Sequence, residues 1–228
     1  MFAALAAGEL PPETPELWIA PRGFKSRLLA FLDREIAKGE NGRVAIKANS
    51  LNNLDIMEKL IACSQAGVKV ELFIRGICSL RPGVPGLTDN ITVSSVVGRW
   101  LEHSRIYSFG EGEEQRIFIG SGDMLNRNLE RRVEAFIEVV TPDTREQINR
   151  VLDALRADRE KASLMQPDGR YIRPEGGEGS NSQEALYRYF SACRVSLQEE
   201  PPAETPERQE EAPGERRSFL DWLRRLFH

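Results

Sequence analysis

A chain of 228 residues with 40% hydrophobic content suffices for one core of ordinary size plus tails, and no apolar run is long enough to span a bilayer. Its three cysteines, Cys63, Cys78 and Cys193, make neither a metal-ligand spacing nor an even set, which argues against a disulfide scaffold or a cysteine zinc site and fits free thiols in a reducing cytoplasm. The net charge of −4 belongs to one segment: Glu199 to Glu215 hold seven glutamates against one arginine, so the remainder is mildly cationic.

Residues 1–16 contain Pro11, Pro12 and Pro15 and lack the basic residues of an export signal, so they read as a flexible leader. Leu17–Ala20 is a short predicted strand. Pro21 opens a helix whose apolar face is Leu28, Leu29, Phe31, Leu32 and Ile36, ending at Lys38-Gly39. Arg43–Ala48 reads as a buried strand. Leu54–Ala66 reads as a helix, with Asn53 as N-cap and Gly67 as its stop, and Val68–Ile74 as the next strand. Strand, helix and strand with short joins predict a parallel, right-handed βαβ unit, and such strands carry ligands at their C-terminal ends, where Lys47, Asn49 and Arg75-Gly76 lie.

Residues 75–90 are a loop with Pro82 and Pro85. Further strands are predicted at Ile91–Val97, Ile106–Phe109, Arg116–Gly120 and Arg132–Val140. A helix follows from Asp143 to about Lys161, with Ile148, Val151, Leu152 and Leu155 on one face. Residues 162–182 are polar, rich in Gly and carry no predicted element. Gln183–Leu197 is a last core-docking helix, with Leu186, Tyr189 and Phe190 on one side. Residues 198–217, rich in Pro and Glu, have nothing to bury and should be disordered. In residues 218–228, Phe219, Trp222, Leu223, Leu226 and Phe227 make an apolar helical stripe flanked by arginines. That is a basic amphipathic helix fit to dock on its own domain, a partner groove or a membrane surface.

The most chemically loaded stretch is Arg99–Glu134. It holds His103, the only histidine besides His228, among Arg99, Arg105, Arg116, Arg127, Arg131 and Arg132. It also holds the small-residue turn Gly120-Ser121-Gly122-Asp123. Imidazole can attack or donate a proton near neutral pH, guanidinium forks bind phosphoryl oxygens, and Gly and Ser let backbone donors approach an anion. A lone histidine beside arginines could equally be a structural hydrogen-bonding residue, and Arg75 could equally sit in a salt bridge.

His103-Ser104-Arg105 followed by Gly120-Ser121-x-Asp123 resembles the H-x-K … G-S-x-N half-motif of the phospholipase D superfamily. The longer strings WLEHSR (Trp100–Arg105) and GSGDMLNRNLERRVE (Gly120–Glu134) are closer to the C-terminal catalytic domain of polyphosphate kinase, the ATP–polyphosphate phosphotransferase. Gly122 stands where that family has Ala, and Met124 sits one place early. DREI at Asp33–Ile36, IKANSL at Ile46–Leu51, Arg75-Gly-Ile-Cys78 and LRPGVPG at Leu80–Gly86 carry the likeness across about Trp18–Leu197.

The resemblance implies an α/β fold, a phospholipase D-like mixed β-sheet flanked by helices, over a single domain at 17–197. It implies phosphoryl transfer between ATP or ADP and inorganic polyphosphate with Mg²⁺, in the cytoplasm, with the C-terminal helix as a peripheral membrane or partner contact. By the same likeness His103 is the second catalytic histidine of the family and Arg75 a nucleotide-phosphate-binding arginine. Lys47, Asn49, Arg105, Ser121 and Arg127 are further candidates for binding phosphate, with Asn128 nearby, and Asp123 for orienting an arginine or histidine. Arg131 and Arg132 could line a polyphosphate channel or pair with Glu134. Full-length members also carry a first catalytic half with a phosphorylated histidine in an H-P-Y string, which is not found here. The expectation is therefore a second half-site that needs a separate polypeptide carrying the first. The alternatives are a non-catalytic nucleotide- or polyphosphate-binding module, and a homodimeric phospholipase D-like phosphodiesterase.

Overall fold

The computed structural model describes residues 4, 6–10, 12, 14–174 and 180–193. The leader is described only in part, and the predicted linker and amphipathic helix lie outside the described residues.

Nine strands among the described residues form one mixed sheet. In chain order the elements are β1 (Leu17–Ala20), α1 (Phe24–Ile36), β2 (Arg43–Ala48), α2 (Leu54–Gln65), β3 (Lys69–Ile74) and β4 (Ile91–Val96). They continue with β5 (Arg105–Phe109), β6 (Arg116–Gly120), α3 (Asn126–Glu130), β7 (Glu134–Glu138), α4 (Pro142–Ala157), β8 (Ala162–Met165), β9 (Tyr171–Ile172) and α5 (Ser182–Ala192). The sheet order is β1-β7-β6-β5-β2-β3-β4-β8-β9, with β2, β3 and β4 parallel and the other neighbours antiparallel.

Period-two alternation assigns side chains to the two faces. Val44 and Ile46 of β2, Tyr107 and Phe109 of β5 and Phe118 of β6 pack with Phe24, Leu28 and Leu32 of α1 and with Leu60 of α2. Trp18 lies against Phe118 with ring centroids 3.8 Å apart, and Phe24 stacks on Phe136 at the same separation. The intervening residues Ala45, Ile106 and Ile117 face the other way, onto Leu152 and Leu155 of α4. Lys47 is in phase with Ala45, so its stem lies on the α4 side.

The βαβ unit has the predicted parallel pairing, and the Asn53 side chain caps α2 by accepting the Ile56 amide at 3.1 Å. Gly67, at φ +90, makes the left-handed stop that closes α2.

Several boundaries differ from the sequence reading. Helix α1 starts at Phe24, because Pro21–Gly23 form a turn in which the Gly23 amide bonds the Ile19 carbonyl. Helix α4 ends at Ala157, because the Asp158 carboxylate collects the amides of Glu160, Lys161 and Ala162 and turns the chain into β8. Strands β8 and β9 fall where no element was predicted. They are short and take their place only by pairing with β4 and with each other. Arg132–Val140 shortens to Glu134–Glu138 behind the unpredicted helix α3. Helix α5 buries Ser182 and Gln183; of the expected apolar face Leu186 and Tyr189 are half-buried, while Phe190 stays 42% exposed.

Candidate functional site

Three loops meet at the C-terminal ends of β2, β3 and β6. The Gly76 amide bonds the Asn49 carbonyl at 2.8 Å, and Leu51 exchanges bonds with Ile77 and Ser79. The amides of Asn52 and Asn53 both donate to the Met124 carbonyl, and the Met124 amide donates to the Ser50 carbonyl. Close approach needs small residues. A Cβ on Gly76 would lie 2.8 Å from the Asn49 carbonyl oxygen, and one on Gly120 would enter the Phe136 ring.

On this floor stands a chain of hydrogen bonds. Arg75 Nε donates to Asn49 Oδ1 at 2.6 Å. Asn49 donates to Asp123 from its backbone amide at 2.7 Å and from its Nδ2 at 3.1 Å. Arg105 grips the same carboxylate with two bonds, Nε to Oδ1 at 3.2 Å and Nη2 to Oδ2 at 3.1 Å. The free Nη1 of Arg105 reaches the His103 carbonyl at 2.8 Å and His103 Nδ1 at 2.6 Å. The same Nη1 lies 3.4 Å from His103 Nε2, so the guanidinium, which has only donors, stands against the ring, and the tautomer sets which ring nitrogen accepts. His103 is exposed and Arg75 half-buried.

Burial by itself would raise the Asp123 carboxyl, but the bonds from Arg105 and Asn49 outweigh it and hold the group below the usual carboxylate range. Burial pushes the Lys47 ammonium below the ordinary lysine value, and Glu102 offsets part of that. Lys47, with its side chain 3% exposed, contacts Glu102 Oε2 at 3.1 Å and donates to the Ser104 carbonyl at 3.3 Å. The buried Tyr107 hydroxyl, also pushed up by burial, donates to the Gly122 carbonyl at 3.0 Å and fixes the small-residue turn.

Lys47, Asn49, Arg75, His103, Arg105 and Asp123 are thus joined directly or through neighbouring loop residues. The other candidates stand apart. Ser121 Oγ donates to Glu134 and accepts the Ala135 amide at 3.2 Å, so its hydroxyl hydrogen is already engaged. Asn128 donates to the same Glu134. Glu134 therefore takes Ser121 and Asn128 rather than the Arg131 or Arg132 partner considered from sequence. Arg127 is exposed and lines an open groove with Asn52, Ile77 and Arg131 beside the loop that carries Arg75. Arg116 lies at the far end of β6 and is forked onto Glu138, so proximity in sequence did not place it near His103.

Among the described residues no group of three or more His, Cys, Asp or Glu is placed to hold a metal. Asp123, Glu102 and Glu134 are each already bonded to the side chains named above. These residues do not fit a protein-held Mg²⁺.

The sheet, with cationic and amide side chains gathered where parallel strands end, defines a mixed α/β domain. The family model for polyphosphate kinase C-terminal domain 2 matches residues 17–185. The chain is 45% identical over 192 residues to polyphosphate kinase of Synechocystis sp., covering 82% of this chain and 26% of that protein. It is 42% identical over 177 residues to polyphosphate kinase of Streptomyces coelicolor, covering 75% and 24%. The crystal structure of polyphosphate kinase from Porphyromonas gingivalis superposes with a TM-score of 0.77 at 31% identity, covering 83% of this chain and 30% of that one. The chain belongs to the polyphosphate kinase family through this C-terminal domain, and it spans about a quarter of the length of the curated relatives it matches. Among the described residues no helix is long and apolar enough to cross a membrane.

Proposed function

We propose that this domain handles the nucleotide and polyphosphate phosphates in phosphoryl transfer between ATP or ADP and inorganic polyphosphate, working with a separate first half that carries the phosphohistidine. One observation carries this reading. Among the described residues Arg75 makes no ion pair; its Nε is oriented by a neutral amide, and its two terminal nitrogens have no hydrogen-bond partner. A half-buried guanidinium aimed by Asn49 but left uncompensated is a preorganised phosphate donor.

Arg105, by contrast, is neutralised and fixed by Asp123, so its main part is to hold His103. Exposed beside Arg105, the His103 ring offers a protonated nitrogen to a phosphoryl oxygen, either as a hydrogen bond or as a proton passed to the leaving phosphate. Lys47, itself paired with Glu102, holds the loop behind the pair, and Arg127 with Arg131 extends positive charge along the groove for a longer phosphate chain. Mg²⁺ would come in on the nucleotide's own phosphates. Ser121 supports the turn through Glu134.

Isothermal titration with ADP and with polyphosphate should show binding that weakens as salt rises. Mixing the chain with a protein bearing the phosphohistidine half should give ADP-dependent loss of polyphosphate beyond either part alone. Salt-insensitive or absent binding would remove the reading. Binding without any gain on mixing would leave a binding module.

A further inference from the structure

Between β4 and β5 the chain runs through a loop, residues 97–104, that carries His103 at an exposed position. Besides the Arg105 and Lys47 contacts, this loop meets the last helix through Gln183, with Tyr187 stacked on Trp100 at 5.2 Å and Glu184 3.8 Å from Arg99 at the surface. Gln183 is 5% exposed and fills all three of its main bonding capacities on the loop. Its Oε1 accepts the Trp100 amide at 3.1 Å. Its Nε2 donates to the Trp100 carbonyl at 2.7 Å and to Glu102 Oε1 at 2.8 Å. The other oxygen of Glu102 then meets Lys47, which also reaches the Ser104 carbonyl. The residues on either side of His103 are therefore both anchored.

Two further features show that this clasp is built. Gly98 leaves the space that the carboxamide occupies, and a Cβ there would collide with it. The mount of Gln183 is rigid: Asp158, fully buried, accepts the Ser182 amide at 2.8 Å as well as the Ser182 hydroxyl. Glutamate could not donate to Glu102, and asparagine is one methylene shorter, so the position is chemically demanding.

We propose that Gln183 is a positioning residue for His103, clasping Trp100 and Glu102 so that the imidazole is presented at the strand ends where Arg105 and Lys47 stand. The proposal rests on the reading of His103 as part of a phosphate-handling site.

The test is made on the intact chain. Hydrogen exchange over residues 98–104 reads the clasp, and the NMR resonances of the His103 ring, recorded with and without ADP and polyphosphate, read the positioning. His228 is the only other histidine, so His228→Gln assigns the signal. Gln183→Ala should raise exchange at the Trp100 amide about ten-fold, the loss of one ordinary hydrogen bond. It should also shift the His103 ring signal and blunt its response to ADP. Gln183→Glu keeps the acceptor for Trp100 but sets a carboxylate against Glu102; it should spare the Trp100 amide and still disturb the ring. Glu184→Ala, whose neighbour Arg99 lies 3.8 Å away on the surface, should change neither readout.

Unchanged exchange in Gln183→Ala would overturn the clasp. If that variant does not fold, an undisturbed ring in Gln183→Glu overturns the proposal instead. Faster exchange with an unchanged ring signal and ADP response would overturn the positioning role. A wild-type ring silent to both ligands would overturn the functional reading and the positioning with it, while the exchange result would still decide the clasp.

Discussion

The two ends of the central strands treat arginine in opposite ways. Away from the site two guanidiniums are matched: Arg116 forks onto Glu138, and Arg156 contacts Glu71 and Asp153. At the C-terminal ends Arg105 is matched by Asp123, and next to it Arg75 is aimed by a neutral amide. An arginine whose charge is cancelled serves the fold. One that is held in direction but not in charge is ready for an anion from outside. The contrast separates structural from ligand-facing cations more sharply than the count of arginines in a segment.

The largest effect should come from breaking the hub. Asp123→Asn leaves the Arg105 guanidinium, 11% exposed, without a counter-charge and should destabilise the domain by roughly 3 kcal/mol in urea unfolding. The folded-state pKa of Asp123 lies below its unfolded value, so its contribution is fully present above about pH 4 and lost as pH falls through the lower folded value. The variant should therefore show a flatter acid limb of stability than the parent.

Next in size, Arg75→Ala should weaken ADP binding on the order of a hundred-fold, with little change in unfolding free energy. A variant that binds normally would erase the contrast between the two ends. His103→Gln should lower the complemented transfer rate by roughly a hundred-fold while leaving ADP affinity within a few-fold, because a proton donor in the transition state contributes little to ground-state binding. The smallest effect belongs to the matched end. Arg156→Ala should cost about 0–1 kcal/mol of stability, since its side chain is 37% exposed, and nothing in affinity.

Much of this was legible from residues alone. The Asn53 cap, the Gly67 stop and the alternation of Arg43–Ala48 gave the βαβ unit, because caps and period-two patterns are local physics. The strings around His103 and Gly120 carried the family likeness. Position in sequence misled for Arg116, since a five-residue strand carries its two ends to opposite edges of the sheet.

By itself the sequence determined the family, the parallel strand–helix–strand core and the identity of the cationic groups at its C-terminal ends. Only the tertiary structure decided which cations are spent. Asn49, Asp123 and Arg105 meet across a sequence gap of more than seventy residues, the separation between Asn49 and Asp123 being 74. Gln183 reaches Trp100 and Glu102 from 83 and 81 residues away. Charge pairing and amide clasps depend on distances of about 3 Å, and those distances exist only after non-local strands have been laid side by side.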